Sequence, residues 1–242
     1  MSIAQLVNVS VASRKLPEGR ALNNVSMSFG NGKFSAVLGP NGSSKSLLIE
    51  VLGGLAPIST GQVITCGIDI THSNNDELSE LRTSSVSYVF NKHNVIDTLT
   101  IRENLLLAHT FSSLHLDNVL YQDVIGSFNL RKYLDLCPSA TTADVHQRVA
   151  IARAVLKRSR LILAHEPTQF LRQEPSENVL DSLRRCNREY GMSIIMSTHN
   201  NFAASYADHV HLFLDGEPTG MVANPSLQSL AFAQESSAYW AR

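Results

Sequence analysis

Several things are scarce in this 242-residue chain. Its three cysteines, Cys66, Cys137 and Cys186, stand far apart with no C-x-x-C pair. That excludes a zinc ribbon and a disulfide framework, and reads as buried thiols in a reducing compartment. No apolar run reaches the roughly 18 residues of a membrane span. Met1-Ser2-Ile3-Ala4-Gln5-Leu6 lacks the basic start and apolar core of a secretory leader. The expectation is a cytoplasmic chain that meets a membrane only through a partner. No charge sign predominates: 20 Lys+Arg face 21 Asp+Glu, for a net charge of −1. Non-specific nucleic-acid binding is therefore not expected, and no nucleic-acid partner is assigned. Charged residues make up only 17 %, and residues 1–28 contain no aromatic side chain.

What is present suffices for one large α/β domain or two small ones with a proper core. Leu22, Val25, Met27 and Phe29 alternate in part with polar residues, as a strand does. Phe34 to Leu38 is a short apolar run suited to a buried strand. Gly39 to Ser46 is a glycine-containing loop, and Leu47 to Leu52 reads as a buried helix. Strands are also expected over Gly61 to Ile70, Val86 to Phe90, Leu161 to Ala164, Ser193 to Ser197 and, last, His209 to Leu214. Helices are expected over Asp76 to Arg82, Gln147 to Leu156 and Ser176 to Tyr190. Thr100 and Glu103 have capping-box spacing, and the pattern from there to about Leu136 is helical. Strands alternating with helices imply a largely parallel sheet. A helical subdomain is expected over about 95–155, and a C-terminal tail over 225–242. The nine histidines are scattered; His115, His209 and His211 lack metal-ligand partners.

Gly39-Pro40-Asn41-Gly42-Ser43-Ser44-Lys45-Ser46 nearly matches the phosphate-binding pattern G-x-x-x-x-G-K-[ST]. Such a loop turns backbone N–H groups onto phosphate oxygens, with a helix N-terminus behind them. Lys45 is placed to reach the β- and γ-phosphates, and Ser46 to offer its hydroxyl to Mg²⁺. The departure is Ser44, where the pattern has glycine; a serine can still adopt right-handed helical angles, which would let the loop form, but its Cβ crowds a close approach.

Further segments carry a family resemblance. Gln147-Arg148-Val149-Ala150-Ile151-Ala152-Arg153-Ala154 resembles the helix after the signature motif of ABC-type ATPases. Leu161-Ile162-Leu163-Ala164-His165-Glu166-Pro167-Thr168 resembles their Walker B strand, and Ser193 to His199 the strand ending in the switch histidine. The separation of Lys45 from Glu166 resembles that of a transporter nucleotide-binding domain, with no room for the long coiled coil of a chromosome-organising relative. Tyr88 to Asn91 and Thr98 to Asn104 look most like the macrolide-export and lipoprotein-release branch. The resemblance implies an α/β P-loop fold with a largely parallel sheet, an N-terminal antiparallel β element and an inserted helical subdomain. It covers nearly the whole chain, 1–242, read as a single nucleotide-binding domain. It also implies ATP as ligand, a second nucleotide-binding domain as partner (identical or an intact paralogue), and a membrane permease. The permease's cytoplasmic helix would dock beside Asn91, placing the chain on the inner face of the cell membrane.

The departures from the family pattern are as informative. His165 stands where the family has an Asp that helps hold the Mg²⁺ water shell, and imidazole suits a hard cation poorly. The signature L-S-G-G-Q aligns with Thr141-Thr142-Ala143-Asp144-Val145. Ala143 adds a Cβ there and Asp144 a negative charge directed at a polyanion, while Thr142 keeps a hydroxyl to donate. The Q-loop glutamine is Asn91, one methylene shorter. Arg172 replaces the D-loop Asp. The family's adenine-stacking aromatic is missing: its position falls near Ser13, with Arg14 as the alternative stacker. Two groups align intact: Glu166 with the general base and His199 with the γ-phosphate sensor, either catalytic or vestigial. The expectation is the ATP-binding subunit of an ABC transporter, degenerate, with weak or absent hydrolysis of its own. The alternatives are a non-catalytic scaffold or regulator of a membrane complex, and a soluble ABC protein with no permease.

Overall fold

The computed structural model describes residues 1–12, 20–92, 94–110 and 117–236. Two sheets organise it. The first is antiparallel: β1 (Ser2–Ala12) pairs β2 (Arg20–Gly30) on one side and β4 (Thr60–Thr65) on the other, and β5 (Ile68–Asp69) continues from β4. The second has six strands, in the order β10-β9-β3-β8-β7-β6. Here β3 is Phe34–Leu38, β6 Val86–Val89, β7 Leu161–His165, β8 Ser193–Thr198, β9 His209–Leu214 and β10 Glu217–Ala223. All its pairings are parallel except β9 with β10. His209–Leu214 is thus not the last strand.

The central strands are apolar runs because both faces are covered, and the side chains alternate between two cores. Phe34, Ala36, Ile162, Ala164, Ile194 and Met196 face the core beneath the helices. Val37, Leu161, Leu163 and Ile195 face the core shared with the antiparallel sheet. Helix α1 (Lys45–Leu52) fills the second core with Leu48, Ile49, Val51 and Leu52. Helix α2 (Asn75–Ser84) starts with a capping box: Asn74 accepts from the Asp76 and Glu77 N–H groups, and the Glu77 carboxylate accepts from Asn74 N–H.

Between β6 and β7 lie α3 (Ile101–Thr110), α4 (Asn118–Ser127) and α5 (Ala143–Leu156). Thr100 and Glu103 exchange the anticipated capping bonds at the start of α3. The stretch to Leu136 is not one continuous helical pattern: α4 ends at Ser127, and a short 3₁₀ turn at Arg131–Tyr133 follows. Helix α5 begins four residues before Gln147. The apolar residues of α3, α4 and α5 share one core with the parallel sheet. Helix α6 (Gln173–Tyr190), the short α7 (Asn201–Ala204) and α8 (Leu227–Ser236) complete the chain. The 225–242 segment is therefore helical over most of its described part. No helix among the described residues is long and apolar enough to cross a membrane.

Candidate functional site

In a parallel sheet the loops that follow the strands all leave from one edge, so residues distant in sequence meet there. Leu38 pairs with Thr198 and Leu212, His165 with Ser197, and Val89 with Ala164. The loop after β3, Asn91 after β6, Glu166 after β7 and His199 after β8 therefore emerge side by side.

The loop after β3 is built tightly against its neighbours. Gly39 N donates to Thr198 O at 3.2 Å. A Cβ at Gly39 would lie 2.1 Å from the Phe213 carbonyl oxygen, so only glycine fits. Gly42 has φ +87°. Ser44 caps α1 with φ 66° and ψ 10°, in the left-handed region, and its side chain makes no capping bond. The right-handed geometry open to a serine is not the one adopted. This conformation explains why the pattern has glycine here, and it costs an L-residue about 1–2 kcal/mol.

Lys45 folds back over the loop. Its Nζ donates to Pro40 O at 3.1 Å and lies 3.2 Å from Glu166 Oε1, with both side chains almost fully buried. The other Glu166 oxygen lies 3.0 Å from His199 Nδ1. Glu166 itself has φ 43° and donates its N–H to Ser197 O at 2.9 Å, so the carboxylate is held by a strained backbone. Ser46 Oγ shares a 2.7 Å hydrogen bond with His165 Nε2. Burial lowers the His165 pKa and the Lys45 charge adds to this, against the opposing pull of Glu166 and Glu50.

These residues do not fit Mg²⁺. A hard cation asks for several oxygen ligands in near-octahedral array. Ser46, the candidate ligand, is instead bonded to a ring nitrogen. Glu166 is engaged by Lys45 and His199. Among the described residues no group of three or more His, Cys, Asp or Glu is placed to hold a metal.

Asn91 does not extend toward the loop: its amide donates to Gln169 Oε1 at 2.8 Å. The next residue, Lys92, sits over the Phe170 ring at 4.1 Å. Gln147, quoted above only as part of a motif, turns out to tie helix to loop. Its Nε2 donates to the carbonyls of Phe90 and Asn91 at 2.9 and 3.1 Å, and its Oε1 accepts from Asn94 at 2.9 Å. Nothing local in the sequence signals that clamp, because its partners lie more than 50 positions away.

Thr142, Ala143 and Asp144 gather elsewhere, at the start of α5. Asp144 is not directed outward at an anion. It pairs with Arg148 at 2.8 Å, one turn on, and accepts from the Thr142 hydroxyl. The Thr142 hydroxyl is thereby occupied, on a residue that is itself exposed. Burial works to raise the Asp144 carboxyl, but the hydrogen bonds from Thr142 and Arg148 outweigh it and hold it below the usual carboxylate range. A cavity of about 700 Å³ opens beside Thr142, Asp144, Arg131 and Lys132. It shares no lining residue with the cleft of about 380 Å³ beside Glu166, Gln169, His199 and Phe202. Arg172 is the N-cap of α6 and forms no side-chain capping bond. Ser13 and Arg14 lie outside the described residues, as does His115.

A parallel sheet with a glycine loop and a lysine-led helix at its carboxyl edge defines a P-loop protein. The ABC transporter family model matches residues 22–169, more than half of the chain, and the chain belongs to that family. It is 32 % identical over 84 % of its length to the macrolide export ATP-binding/permease protein MacB of Campylobacter jejuni, of which it spans 32 %. An ABC transporter ATP-binding protein of Mycoplasma pneumoniae, the MG467 homolog, is 29 % identical over 81 % of this chain. The chain spans 58 % of that protein, so it covers under two thirds of both relatives. The bacitracin export ATP-binding protein BceA of Halalkalibacterium halodurans is 27 % identical, over 90 % of this chain and 87 % of its own. Among solved structures, the dimeric ATP-binding cassette MJ0796 bound to ADP and phosphate superposes with a TM-score of 0.81 at 26 % identity. It covers 92 % of this chain and 99 % of its own.

Proposed function

We propose that this chain is the ATP-binding subunit of a bacterial-type transporter, working as a single domain over 1–242 with a separate membrane permease. The observation that carries the reading is the phosphate loop, built against β8 and the β9–β10 turn with Lys45 at its centre. The triphosphate would sit against the N–H groups of the loop and the start of α1, and Lys45 would leave Glu166 to meet it. Gly39, Asn41, Gly42, Ser43, Ser44, Lys45 and Ser46 form this cradle. Glu166 and His199 stand where a water would be activated, but Glu166 is engaged on both sides and no metal site backs it. Intrinsic hydrolysis is accordingly weak or absent. The likeness to export proteins and to a dimeric cassette supports a permease and a second nucleotide-binding domain as partners. It also supports a peripheral position on the inner face of the membrane. Phe90, Ile96 and Phe170 leave apolar surface exposed beside Asn91, which suits a docking permease helix.

A second reading, a non-catalytic scaffold, is favoured by the inward-turned Asp144–Arg148 pair. In the family resemblance this helix start faces the partner's nucleotide; here its charge is already satisfied. Transport by cells carrying the permease and the Lys45→Ala subunit separates the two. Transport lost at normal subunit levels supports the ATP-responsive subunit; transport retained supports the scaffold.

A further inference from the structure

The reading above makes the loop after β3 a nucleotide site. Resting on that reading, we infer that the site holds its nucleotide with no contribution from a divalent cation, the Ser46–His165 pair filling the position where a metal would be held. The first observation is the pair itself. The one hydroxyl that α1 offers at this position is bonded at 2.7 Å to a ring nitrogen, and a hard cation gains little by displacing it. The second is that the adjacent carboxylate is already engaged. This carboxylate, Glu166, faces Lys45 at 3.2 Å and His199 at 3.0 Å.

Charge makes the same arrangement permissive for bare polyphosphate. A carboxylate at position 165 would repel the phosphates of a metal-free nucleotide. Imidazole, neutral or protonated, carries no negative charge, so that repulsion is gone. The positive side of the site is intact. Helix α1 starts without a side-chain cap and has no acidic residue in its first turn, so its N-terminal partial charge is not neutralised locally. Lys45 adds a full charge once it turns to the phosphates, and Glu166 keeps its His199 partner. The same substitution thus removes a hold on metal and a barrier to metal-free nucleotide.

Isothermal titration of ATP into the full chain, once in EDTA and once in excess Mg²⁺, tests this. The expected result is two dissociation constants that agree within about threefold, whereas a metal-dependent site would tighten by tenfold or more. His165→Asp should bind more weakly in EDTA and recover with Mg²⁺, while His165→Asn should stay metal-independent. A wild-type constant more than threefold tighter in Mg²⁺ overturns the inference and leaves the nucleotide reading standing. Absence of binding in both buffers from folded protein overturns the nucleotide reading, and this inference with it. The wild-type pair decides even if the Asp variant does not fold.

Discussion

The Lys45–Glu166 pair makes the ligand-free protein hold its own lysine in check, and Glu166→Gln exposes the consequence. Both side chains are 4–5 % exposed and 3.2 Å apart, so solvent does not screen them. At an effective dielectric of about 20, two unit charges at that distance attract by about 5 kcal/mol, much of it offset by desolvation. Removing one partner of a buried pair costs about 3–5 kcal/mol. Gln leaves an oxygen beside Lys45, and Pro40 O still accepts from it, so a loss of about 2–3 kcal/mol is expected without ligand. For a chain of this size that lowers Tm by roughly 5–10 °C. Polyphosphate no longer competes with a carboxylate for Lys45, so saturating ATP should raise Tm further in the variant than in wild type. Differential scanning fluorimetry with and without ATP reads both effects. Unchanged ligand-free stability, or a smaller ATP-induced shift in the variant, refutes the competition.

Ser44→Gly should relieve about 1–2 kcal/mol of left-handed strain against about 0.5–1 kcal/mol of glycine entropy. The expected result is a net gain of up to about 1.5 kcal/mol in urea denaturation; a clear loss of stability would mean the Ser44 side chain contributes something its geometry does not reveal. Gly39→Ala drives a Cβ against the Phe213 carbonyl and should cost about 2–3 kcal/mol, more than Gly42→Ala, where no atom lies within 4 Å and the φ of +87° alone costs about 1–2 kcal/mol. Similar costs at the two positions would contradict this. His211 packs edge-on against Phe29, and burial, helped by the nearby His209, holds its pKa down to about 4 from 6.5. The unfolded chain binds that proton first, so stability is full above pH 6.5 and falls toward pH 4, by an amount of order 3 kcal/mol. His211→Phe should flatten this part of the pH–stability curve.

The elements legible in the sequence were those whose environment is uniform. Leu161 to Ala164 and Ser193 to Ser197 are covered on both faces, so their composition alone announces a buried strand. Thr100 and Glu103 satisfy each other locally, and their spacing carries the information. Strand β10 was silent because all but one of its seven residues are exposed; it is held by backbone pairing to β9 and shows no apolar alternation. The first turn of α5 was missed because Ala143-Asp144-Val145-His146 follows two threonines and shows no helical periodicity. With that start known, Asp144 and Arg148 fall at i and i+4, and their ion pair follows. The phosphate loop was readable as residues but not as a conformation: nothing about serine announces φ 66° at Ser44. The Ser46–His165 bond joins residues 119 positions apart, and only the parallel register of β3, β8 and β7 brings them together.

The central claim is that the loop after β3 binds nucleotide through Lys45. Calorimetric titration of ATP in EDTA into wild type and Lys45→Ala tests it most directly. The account predicts saturable binding by wild type, weakened about tenfold or more in Lys45→Ala, a loss of at least about 1.4 kcal/mol. Equal binding by both proteins, or no binding at millimolar ATP by folded wild type, would contradict it.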